Sequence, residues 1–76
     1  MVLGGNKMDL NTMRTLGIFA ENITEIESVR IKAMEMLAKE DTEKFRHVFV
    51  RIMKETRNES SVRKAAAKLL GLEIFD

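Results

Sequence analysis

Among its 76 residues the sequence has no cysteine, proline, tryptophan, tyrosine or glutamine, and a single histidine, His47. Without cysteine there is no disulfide framework, no thiolate metal site and no cysteine nucleophile. One histidine excludes a multi-histidine centre. Four phenylalanines are the only aromatic residues, which argues against an all-β fold of aromatic-rich strands and proline-marked turns. Apolar runs stay short, as in Gly17-Ile18-Phe19-Ala20, far below the roughly 20 residues that span a bilayer. No membrane role is expected. No charged start leads into an apolar core, so no secretion signal is read and the expected compartment is the cytoplasm. A chain this short buries only about 60% of the surface its unfolded form exposes, so help from a partner subunit is expected.

What is present is helical. Phe45, Val48, Phe49, Ile52 and Met53 fall at i, i+3, i+4, i+7 and i+8, predicting a helix from Thr42 to about Arg57. A second helix is predicted over Glu25 to Lys39, opened by Thr24 and Glu27 in capping-box spacing, with Ile26, Val29, Ala33, Met36 and Leu37 inward. A third runs from Ser61 to Leu70, with Ser60 as N-cap, Gly71 past its end and Val62, Ala66, Leu69 and Leu70 inward. The fourth, Asp9 to about Glu21, is capped by Asp9 or Asn11 and carries Leu10, Met13, Leu16 and Ala20, with Gly17 in its interior. Short connections make sequential helices antiparallel neighbours. The expected fold is all-α, two antiparallel helical hairpins in one domain over 9–76, with 1–8 as a flexible arm.

A shift of 33 residues lays Ser28-Val29-Arg30-Ile31-Lys32-Ala33-Met34-Glu35-Met36-Leu37 over Ser61-Val62-Arg63-Lys64-Ala65-Ala66-Ala67-Lys68-Leu69-Leu70, with five of the ten pairs identical. The matched apolar positions occupy the same predicted helical face, and each copy follows another predicted helix. Hairpin repeats of this length are the signature of α-solenoids. The stretch from Asn58 to Gly71, with Val62-Arg63, small residues and Leu70-Gly71, resembles the second helix of a HEAT-type (armadillo-like) repeat. Val29-Arg30, Ala33 and Leu37 echo it. The turn aspartate that partners the arginine in that pattern is read as replaced by Thr24 and Arg57. The resemblance implies two repeats, about 9–40 and 41–72, in a four-helix HEAT-like solenoid fragment or bundle, and a scaffold for protein interaction rather than a catalyst.

The chemistry-bearing patterns are sparse. Asn6-Lys7-Met8-Asp9 matches a guanine-specificity motif, but no Gly-rich phosphate loop accompanies it, and Asp9 reads as a helix cap. Glu40, Asp41 and Glu43 lack the spaced oxygens and glycine of a calcium loop and read as a helix junction. Asn22-Ile23-Thr24 and Asn58-Glu59-Ser60 have the glycosylation spacing and read as turns and caps. His47 has no carboxylate or nucleophile beside it in the pattern. No nucleophile and base, paired acids or metal ligands converge, so no enzyme, cofactor or metal site is expected.

Charge placement says more than the net +1. Residues 44–68 hold eight cations against Glu55 and Glu59, a net +6, and the remainder carries −5. The candidate basic face comprises Lys44, Arg46, His47, Arg51, Lys54, Arg57, Arg63, Lys64 and Lys68. Such a face suits an acidic protein surface, including the acidic half of another copy, or phosphate. No aromatic interleaves with it, so base stacking is unsupported. Ile31, Met34 and Val50 lie off the inward stripes, and Leu72, Ile74 and Phe75 form an apolar tail; these six are the candidate oligomer contacts. The expected function is a small non-catalytic interaction module that self-associates as a homodimer, with a small nucleic-acid-binding protein as the alternative.

Overall fold

The computed structural model describes residues 8–72. It is all-α, with no strand among the described residues: α1 (Leu10–Glu21), α2 (Glu27–Asp41), α3 (Arg46–Lys54) and α4 (Ser60–Leu69). α1 and α2 form one antiparallel hairpin and α3 and α4 a second. The hairpins stack in the same sense, α1 beside α3 and α2 beside α4. Contacts near matching ends show that sense: the α4 residue Ser61 meets the Glu27 carboxylate at the start of α2, and Arg51 near the end of α3 pairs with Glu21 at the end of α1. Boundaries also fall at one offset. α1 ends at Glu21 and α3 at Lys54, while α2 starts at Glu27 and α4 at Ser60, each 33 residues on.

Local chemistry explains two of the helix ends. The Thr12 amide donates to Asp9 Oδ1 over 2.8 Å, satisfying one of the orphan donors of α1. α4 closes with Gly71 at φ 83, a left-handed conformation that strains any residue with a Cβ. The Leu72 amide donates to the Ala67 carbonyl over 2.9 Å and that of Gly71 to Lys68 over 3.0 Å, the paired bonds of a Schellman stop.

Three expectations about boundaries are corrected. Residues 42–45 are turn rather than helix, so α3 starts at Arg46 and ends at Lys54. Phe45 keeps its inward position from the turn, which is why the apolar spacing extends past the helical backbone. Thr24 and Glu27 form no capping box: the Thr24 amide and hydroxyl both donate to Asn22 Oδ1, and the N-cap is Ile26. Ser60 lies inside α4, whose N-cap is Glu59.

One core joins the four helices. Ala20, Ala33, Met34, Leu37, Phe45, Val48, Phe49, Ile52, Val62 and Ala66 are buried together. On α2 the inward stripe is rotated from the one expected. Arg30, Ala33, Met34 and Leu37 are buried, while Ile26, Val29 and Met36 are exposed. The cause is Arg30: its fully buried side chain occupies a place on the stripe that the spacing rule reserves for an apolar residue.

Candidate interaction surface

Arg30 ties the hairpins together. Its Nε donates to the Ala20 carbonyl over 3.0 Å and its Nη2 to Asn58 Oδ1 over 2.7 Å, while Nη1 sits 3.8 Å from Glu59 Oε1 with no hydrogen-bond acceptor. Asn58, also buried, donates through Nδ2 to the Ile52 carbonyl over 2.9 Å. The turn before α4 is thereby held by a side chain from α2, and the arginine's partner is Asn58, one residue beyond Arg57, which stands where the repeat pattern has an aspartate. Arg63, at the matching position of α4, is half-buried and donates from Nε to the Asn58 carbonyl over 3.0 Å.

The two hairpins differ in what they leave uncovered. Among the described residues the large exposed hydrophobics are Leu10, Ile18, Phe19, Ile23, Ile26, Val29 and Met36, all in hairpin 1 or its turn, against Leu72 alone in the rest. Leu16, Phe19, Val29, Ala33 and Met36 line an apolar groove of about 350 Å³ between α1 and α2, with Ser28 and Lys32 at its edge. The corresponding positions 33 residues on are Phe49, Ile52, Val62, Ala66 and Leu69. Phe49 and Val62 are 0% exposed and Ile52 2%, against 38% for Phe19, 38% for Val29 and 39% for Met36. Hairpin 2 has hairpin 1 against this side. Hairpin 1 has no described helix there.

The cations of the expected basic face do not form one free surface. Arg46 pairs with Glu43 at 3.2 Å, Arg57 with Glu55 at 3.0 Å, and Arg51 grips Glu21 of α1 in a two-pronged contact at 3.1 and 2.8 Å. Hydrogen bonding from Arg57 holds the Glu55 carboxyl at about 2, and the Glu21 carboxylate raises the Arg51 guanidinium above its ordinary value. Arg51, Lys54 and Arg57 share a groove of about 380 Å³ with Glu21, Ile23, Glu55 and Asn58, so cations and anions line it together. Lys44 lies in the turn with its Nζ 6.0 Å from the Phe45 ring centre. His47 and Lys68 are exposed, and Lys64 is half-buried. Over whole hairpins the charge division persists. Residues 8–41 hold seven acids against Arg14, Arg30, Lys32 and Lys39, a net −3. Residues 42–72 hold eight cations against Glu43, Glu55 and Glu59, a net +5.

The expected oligomer contacts separate into three groups. Met34 is fully buried and Ile31 packs against the core, so Met34 is not a surface residue: with Arg30 on the buried stripe, position 34 turns inward. Val50 is half-buried and Leu72 is 51% exposed. Ile74 and Phe75, like the Asn6-Lys7 half of the guanine-type motif and most of the proposed N-terminal arm, lie outside the described residues. Helical spacing assigns Val29 and Met36 to the core, and the 33-residue match gives them the faces of Val62 and Leu69, which also read as inward; their exposure follows from hairpin 1 having no described helix on that side. Among the described residues no cluster of histidine and carboxylate side chains is arranged to hold a metal ion, and no helix is long and apolar enough to cross a membrane. No family model matches the chain, and neither curated proteins nor solved structures provide a match.

Proposed function

We propose that the chain is a non-catalytic protein-interaction module that associates with further copies of itself, and that its working surface is the apolar groove of hairpin 1. The observation that carries this reading is the contrast at matched positions: Val29 is 38% exposed where Val62 is fully buried. A contiguous apolar surface of this kind on a small domain marks a contact site. Covering it removes apolar area from water at about 25 cal/mol per Å². The HEAT-like character of the sequence agrees with such a role, because hairpin units of that kind bury one another's faces by stacking. Sedimentation velocity over a micromolar concentration series tests it. The expected result is a weight-average mass that climbs above the 8.7 kDa of the single chain. A mass fixed at that value throughout overturns self-association.

A phosphate-binding role ranks below this one. The net +5 of residues 42–72 favours it, but Arg46, Arg51 and Arg57 each already hold a carboxylate. If the basic residues serve nucleic acid, binding appears at about 50 mM salt and collapses as salt rises, because phosphate contacts release counterions. A gel shift under those two conditions decides it.

A further inference from the structure

We infer that copies of this chain join head to tail, the outer side of hairpin 2 from one copy seating in the hairpin 1 groove of the next in the same register that hairpin 1 and hairpin 2 keep within a chain. This rests on the self-association reading and specifies which surfaces meet.

The inference comes from matching the two sides of each hairpin. Inside the chain the buried Arg30 of α2 reaches Asn58 in the turn before α4, and the α4 position that matches Arg30 is the half-buried Arg63. On α1 Glu21 meets Arg51 of hairpin 2, and the α3 position that matches Glu21 is the exposed Lys54, with Val50 half-buried one turn before it. Hairpin 2 therefore carries outward a surface placed like the one that hairpin 1 uses to receive it. Hairpin 1 in turn leaves open Phe19, Val29 and Met36, placed like the Ile52, Val62 and Leu69 with which hairpin 2 is received. Donor and acceptor surfaces sit at opposite sides of one molecule. A two-fold pairing would bring like surfaces together, whereas a head-to-tail contact brings unlike ones together and repeats.

Charge favours the same arrangement. The incoming hairpin is net +5 and the receiving one net −3, so unlike halves meet in a head-to-tail contact, while groove-to-groove pairing apposes two acidic halves. The register makes a residue-level statement as well. Within the chain Arg30 reaches Asn58; 33 residues before Asn58 stands Glu25, and 33 after Arg30 stands Arg63. Arg63 of an incoming copy is thus brought to Glu25 of the receiving copy, a charged pair where the intrachain contact has a neutral acceptor.

Two single variants and their mixture test the arrangement. Val29→Glu disables the groove and Val50→Glu the outer side of hairpin 2; Arg63→Glu is a second variant on that side at a position where a charged residue already stands. Circular dichroism checks that each keeps its helices. The expected result is that each variant alone holds at 8.7 kDa, while Val29→Glu mixed with Val50→Glu or Arg63→Glu gives a one-to-one pair that grows no further, since each supplies the surface the other lacks. Glu25→Arg mixed with Arg63→Glu also pairs. Continued self-association of folded Val50→Glu and Arg63→Glu, with Val29→Glu monomeric, means grooves meet grooves and overturns the head-to-tail contact while leaving self-association intact. A monomeric parent chain overturns both.

Discussion

Hairpin 1 and hairpin 2 have related second helices and nearly opposite surfaces. Ser28-Val29-Arg30 and Ser61-Val62-Arg63 begin at the same distance into α2 and α4, yet Val29 is exposed and Val62 buried, and Arg30 is fully buried where Arg63 is half-exposed. Identical residues at matching positions take different environments because each hairpin has a described neighbour on one side only. Position in the stack, rather than residue type, decides which valine is core. The same difference assigns energetic weight: the arginine between hairpins is structural, and the arginine at the outer side is available for a contact.

Removing each arginine is the strongest way to break that comparison. Arg30→Ala leaves the Ala20 carbonyl and Asn58 Oδ1 without their donor, each costing about 1–3 kcal/mol when buried, and opens a cavity besides. The expected loss is about 3 kcal/mol or more, a large part of the stability of so small a domain. Arg63→Ala removes one bond at a half-buried site and should cost about 1 kcal/mol. Urea unfolding of the two variants beside the parent, at a concentration where all are monomeric, measures both. Equal losses would mean that Arg30 does not couple the hairpins as its contacts suggest.

The two glycines give a smaller test of opposite sign. Gly71→Ala forces a Cβ into the left-handed region at φ 83 and is expected to destabilise by about 1 kcal/mol. Gly17 is interior to α1, and a Cβ added there meets nothing within 4 Å. Gly17→Ala is therefore expected to stabilise by up to about 1 kcal/mol through helix propensity. Thermal melts read both, and a destabilised Gly17→Ala would show that hairpin 1 needs the missing side chain at that point.

What could be read from the sequence follows from how local each cause is. The cap at Asp9, the stop at Gly71, the all-α class and the pairing into two hairpins depend on near neighbours and were legible. The rotation of α2 was not, because a buried arginine becomes favourable only through acceptors distant in sequence: the Ala20 carbonyl and Asn58. With Arg30 left off the inward stripe, spacing makes Met34 look exposed and Val29 and Met36 look buried, while Ala33 and Leu37 are inward in both. The start of α3 falls later than the apolar spacing for a related reason: spacing reports where Phe45 points, not whether its backbone is helical. For the candidate surface, the charge division was legible, but the carboxylate partners of Arg51 and Arg57 were not. Arg51 finds Glu21 across the stack, 30 residues away.

Acid gives the smallest effects and still separates the hairpins. The Thr12 side chain and the Thr12 amide, whose hydrogen bond Asp9 Oδ1 accepts, together hold the Asp9 carboxyl below its ordinary 3.8. Glu55 accepts from the Arg57 backbone amide, Nε and Nη2, and is lowered further, from 4.5 to about 2. Both are carboxyls whose folded value is depressed, so whatever each contributes to stability is fully present above its unfolded value and is lost as pH falls through the folded one. Glu55 is held by the charged guanidinium of Arg57 as well as by its amide, whereas the groups that hold Asp9 are the uncharged side chain and amide of Thr12, so protonation is expected to reach Asp9 first. On lowering the pH, the Thr12 amide resonance should shift, and its hydrogen exchange quicken relative to the intrinsic rate, before the Arg57 amide responds. The start of hairpin 1 then frays while the turn inside hairpin 2 holds. Arg57 responding first would show that the exposed Glu55 cluster is screened by water more strongly than its three bonds imply.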